Sequence, residues 1–136
     1  MKEFYENRTR NFLPRRTYTI IRVDGKAFHS YTRGLVRPFD EKLVNDMDET
    51  ACYMCKNIQG AKFAFVQSDE ISILLTDFER LTTDAWFDGN IQKMVSISAS
   101  LATAKFNELR PNKIALFDSR VFTIPSDIEV ENYFIW

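Results

Sequence analysis

One histidine and two cysteines are all that 136 residues offer of the softer metal ligands. The cysteines, Cys52 and Cys55, form a single C-x-x-C in a segment that reads as helix, with no second pair to complete a zinc site. Reduced, partly buried thiols in a cytoplasmic protein are the reading this usage favours. No apolar run approaches the roughly 20 residues that a membrane-spanning helix needs. The opening MKEFYENRTRNFLPRRTYTI has no apolar h-region, so no signal peptide is expected. Internal repeats, low-complexity tracts and interdomain linkers are missing too. What is left is ordinary globular composition, 45% hydrophobic and 27% charged, at a length that suits one domain with a real core.

The chain also lacks a net charge of any size, but its −1 hides an asymmetry. Residues 1–37 hold nine basic side chains (Lys2, Arg8, Arg10, Arg15, Arg16, Arg22, Lys26, Arg33, Arg37) against Glu3, Glu6 and Asp24, a balance of +6 that leaves −7 for the remainder. A basic first quarter fits contact with phosphate or RNA, and it fits a solvated surface equally well.

The segment TYTIIRVDG (17–25) is β-branched and ends in Asp-Gly, which predicts a strand. A loop containing Gly34 and Pro38 follows. Phe39, Leu43, Met47, Ala51, Met54 and Ile58 then recur at spacings of three and four, an amphipathic helix over 39–58 with Gly60 just past its end. KFAFVQSD and EISILLTD make two strands in immediate succession. A second helix is predicted over about 89–109, with Ile91, Val95, Ala102, Phe106 and Leu109 on one side and small residues that allow close packing on a sheet; Pro111 ends it. A strand follows over 113–126, with a bend expected at Asp118–Ser119. Ser126 can cap a last helix beginning with Asp127 and Glu129. The order β-α-β-β-α-β is the split, ferredoxin-like arrangement: an α+β fold with an antiparallel sheet and helices on one face, strands 1 and 3 being central neighbours.

That order gives the acids a geometry. Asp24 closes strand 1, and Asp69 and Glu70 sit at the tip between strands 2 and 3, where turn chemistry would call for Gly, Asn or Pro. In this topology the carboxylates of Asp24 and Asp69 converge at one edge. Two convergent carboxylates plus substrate phosphates are what Mg²⁺ requires, and a pair of such ions serves phosphoryl or nucleotidyl transfer. Gly25 allows close backbone approach, so its carbonyl is a further candidate ligand. The N–H groups of Lys26, Ala27, Phe28 and His29 are a candidate cradle for a triphosphate. Against this, Asp24-Gly25 is also a plain turn signal and Asp69-Glu70 a polar hairpin tip. His29 is a phosphate contact or a structural imidazole. Arg37 and Lys93 are cations that could meet a triphosphate, Ser68 can donate beside Asp69, and Asp40 either caps the first long helix or accepts from a base.

On IIRVDGKAFHSYT (20–32), RPFDEKL (37–43), FVQSDEISILL (65–75), KMVSISASLATAKFN (93–107) and FDSRVFTIPSDIEVENYFIW (117–136), the sequence resembles the tRNA(His) guanylyltransferase family and its tRNA-repair relatives, the 3′-to-5′ polymerases. The resemblance runs from about residue 5 over nearly the whole chain, and DG-x-x-FH combined with QSDE is its specific part. It implies a polymerase-type palm with two Mg²⁺ ions, held by Asp24, Asp69 and the Gly25 carbonyl. It implies GTP or ATP bound by residues 24–29 and Ser68, with Arg37, Asp40 and Lys93 at nucleotide-contacting positions and Glu70 acting outside the metal's direct ligands. The implied reaction activates a tRNA 5′ end, which the 3′-hydroxyl of an incoming nucleotide then attacks. The implied partners are tRNA and nucleoside triphosphates, in a homo-oligomer such as a tetramer. The family continues past this chain with an Arg-Gln-containing helix and an Asn-rich stretch, so residues 1–136 are expected to be a single catalytic palm domain without the family's C-terminal half.

Two other readings stand beside this one. A nucleotide cyclase shares the order and the acidic hairpin, but its hairpin carries Gly-Gly before the acids where this chain has Gln67-Ser68. A non-catalytic nucleotide- or RNA-binding palm remnant would keep the fold without the chemistry.

Overall fold

The computed structural model describes residues 3–33 and 40–135, with the side chain of His29 left out. The elements run β1 (Tyr18–Gly25), α1 (Phe28–Tyr31), α2 (Glu41–Asn57), β2 (Ala61–Gln67), β3 (Glu70–Leu75), α3 (Ile91–Leu109), β4 (Phe117–Ile124) and α4 (Asp127–Ile135), with short 3₁₀ turns at Glu6–Thr9 and Trp86–Gly89. The four strands form one antiparallel sheet in the order β2-β3-β1-β4. Strands 1 and 3 are central neighbours, as the β-α-β-β-α-β order predicts.

Alternation along β1 sorts the two faces of the sheet. Ile21 and Val23 pair with Ile73 and Ile71, and all four join the main core with Met47, Met54 and Phe106 of the long helices. Ile20, Arg22 and Asp24 point the other way, opposite Leu74, Ser72 and Glu70. Helix α2 starts where Asp40 accepts from the Leu43 N–H at 3.0 Å, and α3 where Asn90 accepts from the Lys93 N–H at 3.2 Å. The buried stripe of α3 is Met94, Ser98, Ala102 and Phe106. Its small members bring the helix close enough to β4 for the Ser98 and Ser119 hydroxyls to meet at 2.7 Å.

One boundary and one helix position differ from the sequence reading. The last strand begins at Phe117 rather than 113 and pairs with β1 in unbroken register through Asp118–Ser119. The stretch before it is held by other partners. The Asn107 amide brackets Ala115, donating to its carbonyl at 2.7 Å and accepting from its N–H at 2.8 Å. The Lys26 N–H takes the Leu116 carbonyl at 2.7 Å. The expectation of helices on one face holds for α2 and α3. The capped helix α4, whose Ser126 hydroxyl accepts from the Glu129 N–H at 3.3 Å, lies on the opposite face. Ile20, Leu74 and Ile124 form an apolar patch there, and Val130, Tyr133 and Phe134 cover it. The rest of that face, from Arg22 and Ser72 toward Asp24 and Glu70, carries the polar groups.

Candidate active site

The ends of β1 and the β2–β3 hairpin are tied by backbone. Glu70 is the cross-strand partner of Asp24, and the Gly25 N–H donates to the Asp69 carbonyl at 3.0 Å. Gly25 is required here for space: a Cβ on it would sit 2.2 Å from Cδ1 of Phe28, a ring stacked on Tyr31 and packed on Phe106 and Phe117. The hairpin tip is Ser68–Asp69, flanked by the Gln67–Glu70 pair. Ser68 takes a left-handed backbone (φ 57), as does Ala27 beside it in the site (φ 55). Such a conformation costs a residue with a β-carbon roughly 1–2 kcal/mol, and it persists only where surrounding structure enforces it. The tip therefore turns without glycine and presents an acid at its second position.

The charges are concentrated. Asp24 faces Glu70 on β3 and Asp118 on β4. Burial raises the Asp69 carboxyl above its usual range, and the charges of Asp24 and Asp118 push it further up, against hydrogen bonding by its own backbone and Ser68. Glu70 is raised too, first by burial and then by Asp24, with Arg22 and Arg120 opposing. Those two arginines are register partners on β1 and β4. Arg120 Nη1 donates to Asp24 Oδ2 at 2.9 Å and reaches Asp118 Oδ1 at 3.5 Å. Arg22 Nε stands 3.3 Å from Asp24 and 3.4 Å from Glu70, close enough for charge attraction but out of line for a hydrogen bond.

Of the residues singled out in the sequence, Asp24, Gly25, Ser68, Asp69 and Glu70 meet here. Lys26, Ala27, Phe28 and His29 follow directly, but they form a smaller cradle than expected. The Lys26 N–H is spent on Leu116, and the Phe28 ring is buried in the core. The start of α1 leaves the Phe28 and His29 N–H groups without intrahelical acceptors. Asp40 serves as the α2 cap. Lys93 is not brought to the pair. Its Nζ lies over the Phe87 ring at 5.2 Å, and its neighbour Met94 lines a small cavity with Thr19, which is five residues before Asp24 along β1, roughly 16 Å at strand rise. Arg37 and the His29 side chain lie outside the described residues. Arg22, Asp118 and Arg120 are the members the sequence reading did not pick out. Their signal is the period of two in R-V-D and D-S-R, which puts each arginine on the same face as a neighbouring acid.

Among the described residues no group of three His, Cys, Asp or Glu side chains is arranged around an ion. The donor set on offer is two carboxylates and a backbone carbonyl. Cys52 is exposed and Cys55 half-buried, both free, and burial raises the Cys55 thiol. No described helix is long and apolar enough to cross a membrane.

A family model for tRNAHis guanylyltransferase (Thg1) matches residues 1–125. The chain belongs to the tRNAHis guanylyltransferase family. It is 28% identical to the tRNA(His) guanylyltransferase of Debaryomyces hansenii, over 93% of this chain and 50% of that protein. It is also 28% identical to the uncharacterized protein R259 of Acanthamoeba polyphaga mimivirus, over 88% of this chain and 50% of that one. The chain thus spans about half the length of these relatives. Among solved structures, a bacterial tRNA(His) guanylyltransferase (Thg1)-like protein in complex with GTP superposes with a TM-score of 0.94 at 50% identity, over 98% of this chain and 66% of that one. A complex described with ATP gives 0.95 at 51%, over 98% and 62%. The Saccharomyces cerevisiae enzyme shares the fold, with a TM-score of 0.80 at 24% identity.

Proposed function

We propose that residues 1–136 are the catalytic palm of a metal-dependent nucleotidyltransferase that adds guanylate to the 5′ end of a tRNA, in the 3′-to-5′ direction. The observation that carries this reading is the bond from the Gly25 N–H to the Asp69 carbonyl, which ties Asp24 and Asp69 together in a fold shared with relatives described in complex with GTP and ATP. The donor set fits Mg²⁺. It is all oxygen, and Asp69 resists ionisation first through its burial and then through the charges of Asp24 and Asp118, a cost that a divalent cation would relieve. Asp24, Asp69 and the Gly25 carbonyl would hold the metal, which when bound supplies charge neutralisation at the reacting phosphates.

The chain's own groups have separate roles in this reading. Arg22 and Arg120 pair with the Asp24 carboxylate and share it with the metal. The N–H groups of Ala27, Phe28 and His29, with the Ser68 hydroxyl, contact the triphosphate. Arg37 and Asp40 belong to the same nucleotide site, with Lys93 as a further phosphate contact. The bond formed joins the 3′-oxygen of the incoming nucleotide to the 5′-phosphorus of an activated tRNA end, and the activating nucleotide or pyrophosphate leaves. The work is cytoplasmic, and the assembly is a homo-oligomer.

The test is incubation with Mg²⁺, labelled GTP and a 5′-truncated, 5′-triphosphorylated tRNA. Extension at the 5′ end that disappears in Asp69→Ala supports the proposal. GTP binding without extension in any divalent metal would leave a nucleotide-binding palm. GTP binding indifferent to Asp24→Ala and Asp69→Ala together would remove the metal site altogether.

A further inference from the structure

A cavity opens on the sheet face that carries Arg22, Ser72 and Glu70, beside the acids. It measures about 220 Å³ and lies between β1, β2, β3 and α4. Its walls are aromatic. Phe65 is 46% exposed although it sits mid-strand, and it meets Phe134 edge-on at 6.4 Å. Phe134 in turn meets Tyr133 at 5.0 Å. The inner polar groups are satisfied, since the Ser72 and Tyr133 hydroxyls bond each other at 3.0 Å. Others are not. Arg22 Nε is buried without an aligned acceptor, and no hydrogen bond of the Gln67 amide occurs among the described residues. Glu70 stands at the mouth, 3.4 Å from Arg22 Nε, with the charge of Arg120 also drawing on it.

Aromatic walls with unused polar groups at one rim are how proteins hold a single unpaired base, stacked on its face and read at its edge. The volume suits one base. A whole nucleotide would need the larger clefts, about 300 Å³ and upward, that small molecules ordinarily occupy. The ribose and phosphates must therefore project out of the cavity, and the direction open to them follows from Glu70, which lines the cavity and is also the cross-strand partner of Asp24.

We infer that this cavity binds the guanine base of the nucleotide whose 3′-hydroxyl reacts, an inference that rests on the function proposed above. Guanine presents two adjacent donors, N1–H and the N2 amino group, which the two oxygens of Glu70 accept together. Its O6 and N7 are acceptors, matched by the Arg22 guanidinium and the Gln67 amide. Adenine offers an acceptor at N1 where guanine has a donor, so it leaves one Glu70 oxygen facing a lone pair. The cavity would thus select guanine at the addition step.

The experiment uses GMP, AMP, CMP and UMP as probes, without metal, on the isotopically labelled chain followed by NMR. GMP is expected to shift the Gln67 side-chain amide and the Phe65 and Tyr133 ring signals saturably, and AMP more weakly. Phe65→Ala should weaken GMP binding by about tenfold or more, the loss of one base–aromatic stack. Phe65→Leu keeps apolar volume on the strand and removes only the aromatic face, so it decides the matter if the alanine variant unfolds. GMP that shifts none of these signals, AMP that binds as well as GMP, or Phe65→Leu with unchanged GMP affinity would each overturn the inference. None of those results touches Mg²⁺ binding. Loss of Mg²⁺ binding in Asp24→Ala with GMP binding retained keeps both proposals. Mg²⁺ binding indifferent to Asp24→Ala removes the metal site while leaving the base pocket standing.

Discussion

The Gly25 N–H and the Asp69 carbonyl, 3.0 Å apart, join the end of the central strand to the tip of a hairpin that is 44 residues later in the chain. With the Asp24–Glu70 strand pairing, this bond lets the backbone set the spacing of the two acids. Gly25→Ala tests how much depends on it. The added methyl would lie 2.2 Å from the Phe28 ring, which cannot yield without disturbing Tyr31, Phe106 and Phe117. Overpacking of this kind costs about 1–3 kcal/mol. Urea denaturation should show a loss in that range, together with weaker Mg²⁺ binding. A variant of wild-type stability would mean that Phe28 has room the structure does not show.

Asp24 is held by guanidinium groups on two strands, and a metal would have to share it. Arg120 is the closer, at 2.9 Å and more than half exposed. Removing a cation from an acid's neighbourhood raises the acid's affinity for protons and metals alike. Arg120→Ala should therefore tighten Mn²⁺ or Mg²⁺ binding, by a few-fold given the solvent screening at an exposed pair, as read by calorimetry. Weaker metal binding in this variant would show instead that Arg120 orients Asp24 for the ion.

Much of this site was legible in the sequence. Strand order, the convergence of Asp24 with Asp69 and the capping roles of Asp40 and Ser126 all followed from hydrophobic periodicity and element order, because those patterns report which faces are buried. Side-chain partnerships across non-adjacent strands were not legible. Arg120 reaches Asp24 only because β4 pairs beside β1 in one particular register, and register is a product of the whole sheet. The partner of the Lys26 N–H was not legible for a similar reason: its acceptor is the Leu116 carbonyl, beside Ala115, which Asn107 of α3 holds. Lys93 was offered both by its charge at the start of a helix and by the family resemblance; its Nζ lies over the Phe87 ring, a contact that depends on the 3₁₀ turn before α3 and left no pattern in the sequence.

Burial, with Asp24 and Asp118 adding to it, raises the Asp69 carboxyl in the folded protein. Folding therefore favours the protonated acid. The contribution to stability is present in full below the ordinary carboxylate pKa and is lost as pH rises through the raised folded value. At neutral pH the ionised group is a cost that Asp69→Asn removes. Metal-free Asp69→Asn should melt higher than wild type at pH 7, on the order of a few degrees, and the gap should close as pH falls toward about 4. Added Mg²⁺ should stabilise wild type and not the variant. A gap that widens on acidification is the result that would sink this account.

A largely buried ion pair lies away from the site, between α2 and the end of α3. Asp46 is nearly buried, its side chain 7% exposed, and Arg110 at 14% meets it at 3.0 Å. Arg110 Nε also donates to the Tyr31 hydroxyl at 3.0 Å, and Lys42 adds a second cation to Asp46 at 2.9 Å. Asp46→Ala leaves the Arg110 guanidinium in a largely dry position without its carboxylate, which costs about 3–5 kcal/mol when one partner of a buried pair is removed. Replacing both, Asp46→Leu with Arg110→Met, should recover most of that loss, because the desolvation cost disappears along with the attraction. Chemical denaturation of the two single variants and the double gives the coupling directly. If the double variant is as unstable as the sum of the singles, the pair contributes through packing of its aliphatic parts against Tyr31 and Phe106, and the charges are incidental.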